Sequence, residues 1–386
     1  MSIEILGVLV HRNVSEISAA EGPVFDREMV GELARRFDDN DFDRVLILQN
    51  SFAPDPFAIA TYAAAITNKL AFMVAHRPGF IAPTMAARMF ATLDHLSQGR
   101  AGVHIISAAN DVETQCDGDF LTKEERYRRS REYVEVLRTM WGATEPVDFD
   151  GDFYKFNKSL AELRPVQESS IPIYWGGTSP IAIEKAGECA DVYAIGGLQP
   201  LEKMRATVAE LKASAAKAGR TMRLQTSARV IIGETEEEAW RTADHVLHRL
   251  HEMAIEQQEL QKKGETASRP GLRLDPAMST TRGGANRSQF SEIAAGRDLL
   301  DKRLWTGTTK ASLDFATPTL PPALVGTAEQ VADAMMDYYD MGITGFLMRG
   351  FDLLGDIELH GRELIPRLRR LAAERTGDRA MADVEG

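Results

Sequence analysis

Short runs dense in branched apolar residues punctuate the chain at Ile3–Val10, Arg44–Leu48, Leu70–Ala75, Ala101–Ile106, Ile171–Trp175, Asp191–Ile195, Arg223–Ile232 and Thr344–Met348. They suit strands covered on both faces, the usual state of a parallel sheet. Between them the apolar positions shift to three- and four-residue steps. Met29, Val30, Leu33 and Phe37 predict a helix over Phe25–Phe37. Similar reasoning predicts helices over Phe57–Ile66, Thr84–Leu96, Thr122–Trp141, Ile181–Cys189, Pro200–Ala218, Thr327–Met341 and Ile357–Ala373. Gly99 is read as the stop for the helix ending at Leu96. The cluster Asp38-Asp39-Asn40-Asp41 reads as a solvated turn rather than a cation site, since nothing places its oxygens around one ion. Eight strands alternating with helices predict an α/β chain folded as a (β/α)8 TIM barrel, because right-handed crossovers close a twisted sheet at eight. A doubly wound open sheet is the alternative.

The stretch from about Glu252 to Pro322 breaks this rhythm, with only Gln289–Leu304 compatible with a helix. Connections this long are functional lids or inserts more often than plain loops. The expectation is therefore one domain over residues 1–386, with an insertion or lid at about 252–322 above the barrel mouth. The chain has 45 basic and 57 acidic side chains, a net charge of −12. Phosphate contacts need a basic surface, so no nucleic-acid partner is expected. Apolar runs are broken within about ten residues, whereas a membrane span needs roughly twenty. Met1-Ser2-Ile3-Glu4 has neither a basic nor a long apolar leader, and a cytoplasmic location is the default. Cys116 and Cys189 are too few for a disulfide framework or a cysteine-rich metal site, and no metal is expected.

Gly-x-Gly-x-x-Gly, Gly-x4-Gly-Lys-Ser/Thr, His-Glu-x-x-His and Gly-x-Ser-x-Gly are all missing, which sets aside the enzyme classes they mark. A barrel does its chemistry at the carboxyl ends of its strands. The most informative of these ends is Trp175-Gly176-Gly177-Thr178-Ser179, where a strand meets glycines, two hydroxyls and a helix start. It reads either as a phosphate cradle or as a turn with a Ser or Thr N-cap. Ser107 after the fourth strand could add a hydroxyl. Arg229, late in the seventh strand, needs an anion or a carboxylate. It could bind an acidic substrate group, with Arg282 or Arg287 closing from the insert, or form a structural ion pair. His11 and His76 end the first and third strands and could move a proton near neutral pH, or simply be packed.

One set of motifs is more specific. Pro83-Thr84-Met85-Ala86-Ala87-Arg88, the run Ala91–Arg100, Glu125-Arg126-Tyr127, Asp150-Gly151-Asp152-Phe153-Tyr154, the Trp175–Ser179 turn, Gly342-Ile343 and Gly361-Arg362-Glu363-Leu364-Ile365-Pro366 follow one another along the chain. In this order the sequence resembles the bacterial luciferase-like flavin monooxygenases, nearest the alkanesulfonate and dimethylsulfone monooxygenase group. The resemblance implies a barrel that takes reduced FMN from a separate NAD(P)H flavin reductase and uses O2 on a small-molecule substrate. It also implies a homodimer or homotetramer. Tyr127, Thr178 and Ser179, with the Gly177 backbone, would hold the FMN phosphate. Ser107 would lie beside the ribityl chain or ring, and Arg88 and Asp94 would be structural. The sulfonate group's Arg-x-His pair is Ser227-Ala228-Arg229 here, and its tyrosine and histidine after the last strand correspond to Phe351 and Leu353. Phe351 is therefore expected to touch the substrate, while sulfonate specificity is not implied. Two other readings remain: a deazaflavin-dependent oxidoreductase and a non-catalytic flavin-binding barrel.

Overall fold

The run Glu4–Leu9 forms β1, with five of its six residues buried, as expected for a strand walled by neighbours and by helices. A computed structural model describes residues 2–19, 22–107, 111–168, 170–262, 292–293, 298–314 and 320–385. In it β1 is followed by β2 (Arg44–Ile47), β3 (Ala71–His76), β4 (Val103–Ile105), the hairpin of β5 (Val147–Asp150) and β6 (Lys155–Ser159), β7 (Ile173–Gly176), β8 (Val192–Ile195) and β9 (Arg223–Gly233). Then come β10 (Leu299–Leu300), β11 (Leu304–Trp305), β12 (Ala323–Thr327) and β13 (Ile343–Arg349). The strands β13, β1, β2, β3, β4, β7, β8 and β9 pair in parallel in that order, and β9 pairs back to β13. The sheet is therefore closed, and the open doubly wound alternative is excluded. All eight barrel strands fall on the eight apolar runs of the sequence.

The crossover helices begin and end on recognisable chemistry. Helix α1 (Arg27–Asp39) is capped by Asp26, whose carboxylate accepts from the amides of Glu28 and Met29 at 3.0 Å each. Helix α2 (Pro56–Ala65) follows an Asp55 cap and has proline in its first turn. Helix α3 (Pro83–Leu96) ends in a turn that Gln98 (φ 56°) and Gly99 (φ 83°) share. The short helix α4 (Asp111–Cys116) precedes α5 (Lys123–Gly142), which opens on a Thr122–Glu125 capping box. Helices α6 (Pro180–Cys189), α7 (Leu201–Lys217) and α8 (Glu236–Lys262) come next. No described helix is long and apolar enough to cross a membrane. Among the described residues no group of three His, Cys, Asp or Glu is placed to share a metal ion.

The barrel interior is layered. Leu6, Val8, Met73, Tyr174, Val192 and Leu347 form an apolar middle. Below it Glu4 pairs with Arg44 at 2.9 Å, and the Arg44 guanidinium lies 5.3 Å from the centre of the Tyr174 ring. Two residues further along their strands from Met73, Tyr174 and Val192 come Ala75, Gly176 and Ala194.

The structure departs from the sequence reading in several places. Asp38 is not a solvated turn residue: it is buried, and its carboxylate accepts from the amides of Asn68, Lys69 and Leu70 at 2.6–2.9 Å. Helix α8 runs on to Lys262, so the departure from regular structure does not begin at Glu252. Where helix was compatible up to Leu304, β10 and β11 form an antiparallel pair that continues through β12 onto the outer half of β9. The last helical stretch is interrupted by a π-turn at His360–Leu364, just before Pro366, whose missing amide cannot bond to the preceding turn.

Asp94 shows what one motif residue contributes. Fully buried, it accepts from Val166 N (2.7 Å), Gln167 N (3.1 Å) and Gln167 Nε2 (2.6 Å), tying α3 to the chain leading into β7. Asp94→Ala strands several donors at about 1–3 kcal/mol each. Urea unfolding should register a loss of at least about 3 kcal/mol, and a loss near zero would contradict this role.

Candidate functional site

Gly177, at the end of β7, adopts φ +140°, and a Cβ there would sit 2.6 Å from the Ala182 Cβ and 2.7 Å from the Tyr127 hydroxyl. Only glycine fits. The Tyr193 hydroxyl donates to the Gly177 carbonyl and fixes the turn. Ser179 then occupies the N-cap of α6, yet its side chain makes no capping bond, and its Oγ is buried with no hydrogen-bond partner. Burial raises the Tyr127 phenol above its ordinary range, and Ser179 lies close enough to offset part of that rise without completing a bond of normal geometry. Gly177 and Thr178 are exposed. An uncapped helix start, an unsatisfied hydroxyl and a buried phenol around a glycine turn suit an anion with several acceptor oxygens. The donor set thus fits a flavin phosphate. Beyond the turn a cavity of about 370 Å³ continues between Thr178, Tyr193, Gly196, Gln199 and Lys203.

Ser107 is buried and donates to Ser130 Oγ at 2.9 Å, while its carbonyl accepts from Arg126 Nε at 2.9 Å. Its proton is committed, so towards a ligand the hydroxyl can act only as an acceptor. His76 sits on the helix side of β3, edge-on to Phe90 with ring centres 5.4 Å apart. Its Nε2 lies 2.7 Å from the Tyr133 hydroxyl, which donates to the Ile81 carbonyl, so the imidazole nitrogen is the donor. Burial lowers His76 to about 4. It is a neutral packed histidine turned away from the mouth. His11 stands half-buried after β1, its pKa lowered by burial and by Arg12.

Arg229 is buried and already partnered. It donates to the Gly350 carbonyl at 2.9 Å, pairs with Glu16 and lies 5.0 Å from the centre of the Phe351 ring. The structural ion pair left open by the sequence is thus present, with Glu16 as its acid. Phe351 is buried and packs with Ile231 and Trp305 beneath Arg229. Arg282 and Arg287 lie outside the described residues. Two residues escaped sequence reasoning. One is Glu16, from the loop after β1, which carries no motif. The other is His104, buried within the barrel with Nδ1 unpartnered, its Nε2 3.7 Å from where a Cβ at Gly176 would stand. A histidine inside an otherwise apolar strand was the available signal.

The fold is thus a closed parallel α/β barrel with a glycine turn after β7. The luciferase-like monooxygenase family matches residues 3–345, and the chain belongs to it. Its fold is similar to that of a riboflavin lyase (RcaE) with modified FMN and riboflavin, at 17% identity, TM-score 0.72, over 96% of this chain and 92% of that one. An EDTA monooxygenase (EmoA) from Chelativorans sp. BNC1 is similar at 20% identity and TM-score 0.71, over 96% and 94%. An F420-dependent secondary alcohol dehydrogenase is similar at 17% identity and TM-score 0.63, over 95% and 99%.

Burial works to raise the Glu16 pKa, but the charges of Arg229 and Arg349 outweigh it and hold the carboxyl down at about 2. A depressed folded pKa means stability that is present above the unfolded value of about 4.5 and lost as pH falls towards 2. Glu16→Gln should cost on the order of 3 kcal/mol at neutral pH. The gap to wild type should close as urea unfolding is repeated at falling pH, and a gap independent of pH would contradict the pairing.

Proposed function

We propose that the chain is the oxygenase half of a two-component system, using reduced FMN from a separate NAD(P)H flavin reductase, and O2, to oxygenate a small organic substrate. The observation that carries this reading is the Ser179 hydroxyl, buried without a partner at an uncapped helix start beside Tyr127 and Gly177. Reduced FMN, when bound, supplies the electrons that activate O2. The chain's own residues then bind, orient and keep water out. Thr178, Ser179 and the Tyr127 phenol hold the phosphate, with the Gly177 backbone giving it room. Ser107 accepts a hydroxyl from the ribityl chain. The low side chains Ala75, Gly176 and Ala194 admit a flat ring over the apolar middle layer. His104 below Gly176 is held neutral, burial lowering it to about 4, so the floor of the site offers no strong acid to the ring.

A second reading uses a deazaflavin as hydride carrier. It draws support from the cavity beyond Gly177 and Thr178, which leaves space for a cofactor longer than FMN on its phosphate side. Titration with each cofactor decides between them: product that needs both reduced FMN and O2 favours the first, and binding of a deazaflavin alone overturns it.

Replacing Tyr127 with Phe and Ser179 with Ala together should weaken FMN binding by roughly a hundredfold or more, since each hydrogen bond to a charged group is worth about 1.5–3 kcal/mol. Unchanged flavin fluorescence quenching in the double variant would place the phosphate elsewhere.

A further inference from the structure

Two arginines meet in register at the end of the barrel: Arg229 of β9 pairs across the sheet with Arg349 of β13. Register partners in a sheet stand on the same face, where like charges repel. One acid answers both. Glu16 Oε1 lies against Arg229 and 3.3 Å from Arg349 Nη1, while Glu16 Oε2 is buried and makes no hydrogen bond. Two guanidiniums therefore share a single carboxylate oxygen.

Their remaining donors fare differently. Arg229 also has the Gly350 carbonyl and the Phe351 ring. Arg349 has an ion pair with Glu16 alone among the described residues, its Nε is buried without an acceptor, and a quarter of its side chain is exposed. Asp356 does not help it: that carboxylate accepts from the amides of Phe351 and Asp352 at 2.6 and 2.8 Å. A guanidinium has five N–H donors in a fixed fork. Leaving them unmet in a partly buried place is costly, and an arriving oxyanion removes the cost.

We propose that Arg349 is the substrate anchor and that the substrate is an organic oxyanion, a carboxylate or sulfonate seated on the Arg349 fork beside Glu16. The proposal rests on the flavin reading above for its orientation. The Gly177 turn follows β7, whereas Arg349 ends β13, three strands further round the eight-stranded ring by way of β8 and β9. Two anion seats then face one another across the mouth, with the barrel axis between them for the ring and the reacting atom. It also moves the anion-binding role from Arg229, which already holds Glu16 and the Gly350 carbonyl, to its neighbour.

The test compares benzoate and benzenesulfonate with uncharged benzamide by ligand-observed NMR, on the full chain, with and without FMN. At least one anion should bind wild type roughly tenfold more tightly than benzamide. Arg349→Gln should abolish that preference while leaving FMN affinity unchanged. Which anion wins distinguishes carboxylate from sulfonate. Where Arg349→Gln does not fold, Arg349→Lys decides, because it keeps the charge but loses the fork, and severalfold weaker binding of the preferred anion is expected. Anions bound no better than benzamide, or a preference that survives loss of the guanidinium unchanged, would overturn the proposal. A failure of the flavin reading is seen separately, as absent FMN binding with the anion preference intact.

Discussion

The hydrogen-bonded seam between β9 and β13 is the constraint on which the rest of the molecule depends. It closes the sheet, so that all eight strand ends point to one mouth. It also sets Arg229 beside Arg349 and obliges the loop after β1 to bring Glu16 between them. Beyond Arg229 the same strand leaves the barrel and pairs with β12, which carries the β10–β11 hairpin on its other edge. One long strand thus serves both as a barrel stave and as the attachment for the β10–β12 extension of the sheet.

Most of the motifs that place the chain in its family hold loops rather than do chemistry. Asp94 bonds to Val166 and Gln167, and Arg100 bonds to the carbonyls of Ala64, Thr67 and Leu70. The Asp150–Tyr154 motif turns the β5–β6 hairpin, and Glu132 accepts from the amides of Asp152, Phe153 and Tyr154. Arg126 grips the Ser107 carbonyl and so positions a hydroxyl at the mouth. The exception is the Gly177–Ser179 turn, which leaves its donors unspent. Such a scaffold can keep one strand-end turn while another part of the rim takes other side chains.

The barrel strands were legible because a strand buried on both faces has few polar residues to blur it. Ala323–Thr327 was not legible, being five residues beside a pair of prolines, and the hairpin at Val147–Ser159 is built of strands of only four and five residues. The glycine turn was legible as Gly-Gly-Thr-Ser, but whether Ser179 caps its helix or leaves its hydroxyl free is a matter of rotamer, which no spacing reveals. Arg229 could be seen to need a partner, but Glu16 lies 213 positions away in the chain and only the closed barrel brings it near. His76 looked like a mouth residue because it ends β3, but the strand's alternation turns it to the helices, where Tyr133 and Phe90 hold it. Position along a strand was readable, while the face took the register to decide.

The barrel is thus plugged by charge at its bottom and apolar in its middle, and the flavin proposed for it would sit above that layer with its phosphate at the Gly177 turn. The most direct check is the affinity of the protein for FMN against riboflavin, which differ only by the phosphate. A preference for FMN of at least about a hundredfold is the predicted result, the yield of two or more charge-assisted hydrogen bonds at the Gly177 turn. Equal affinities for the two flavins would contradict a phosphate seat at that turn.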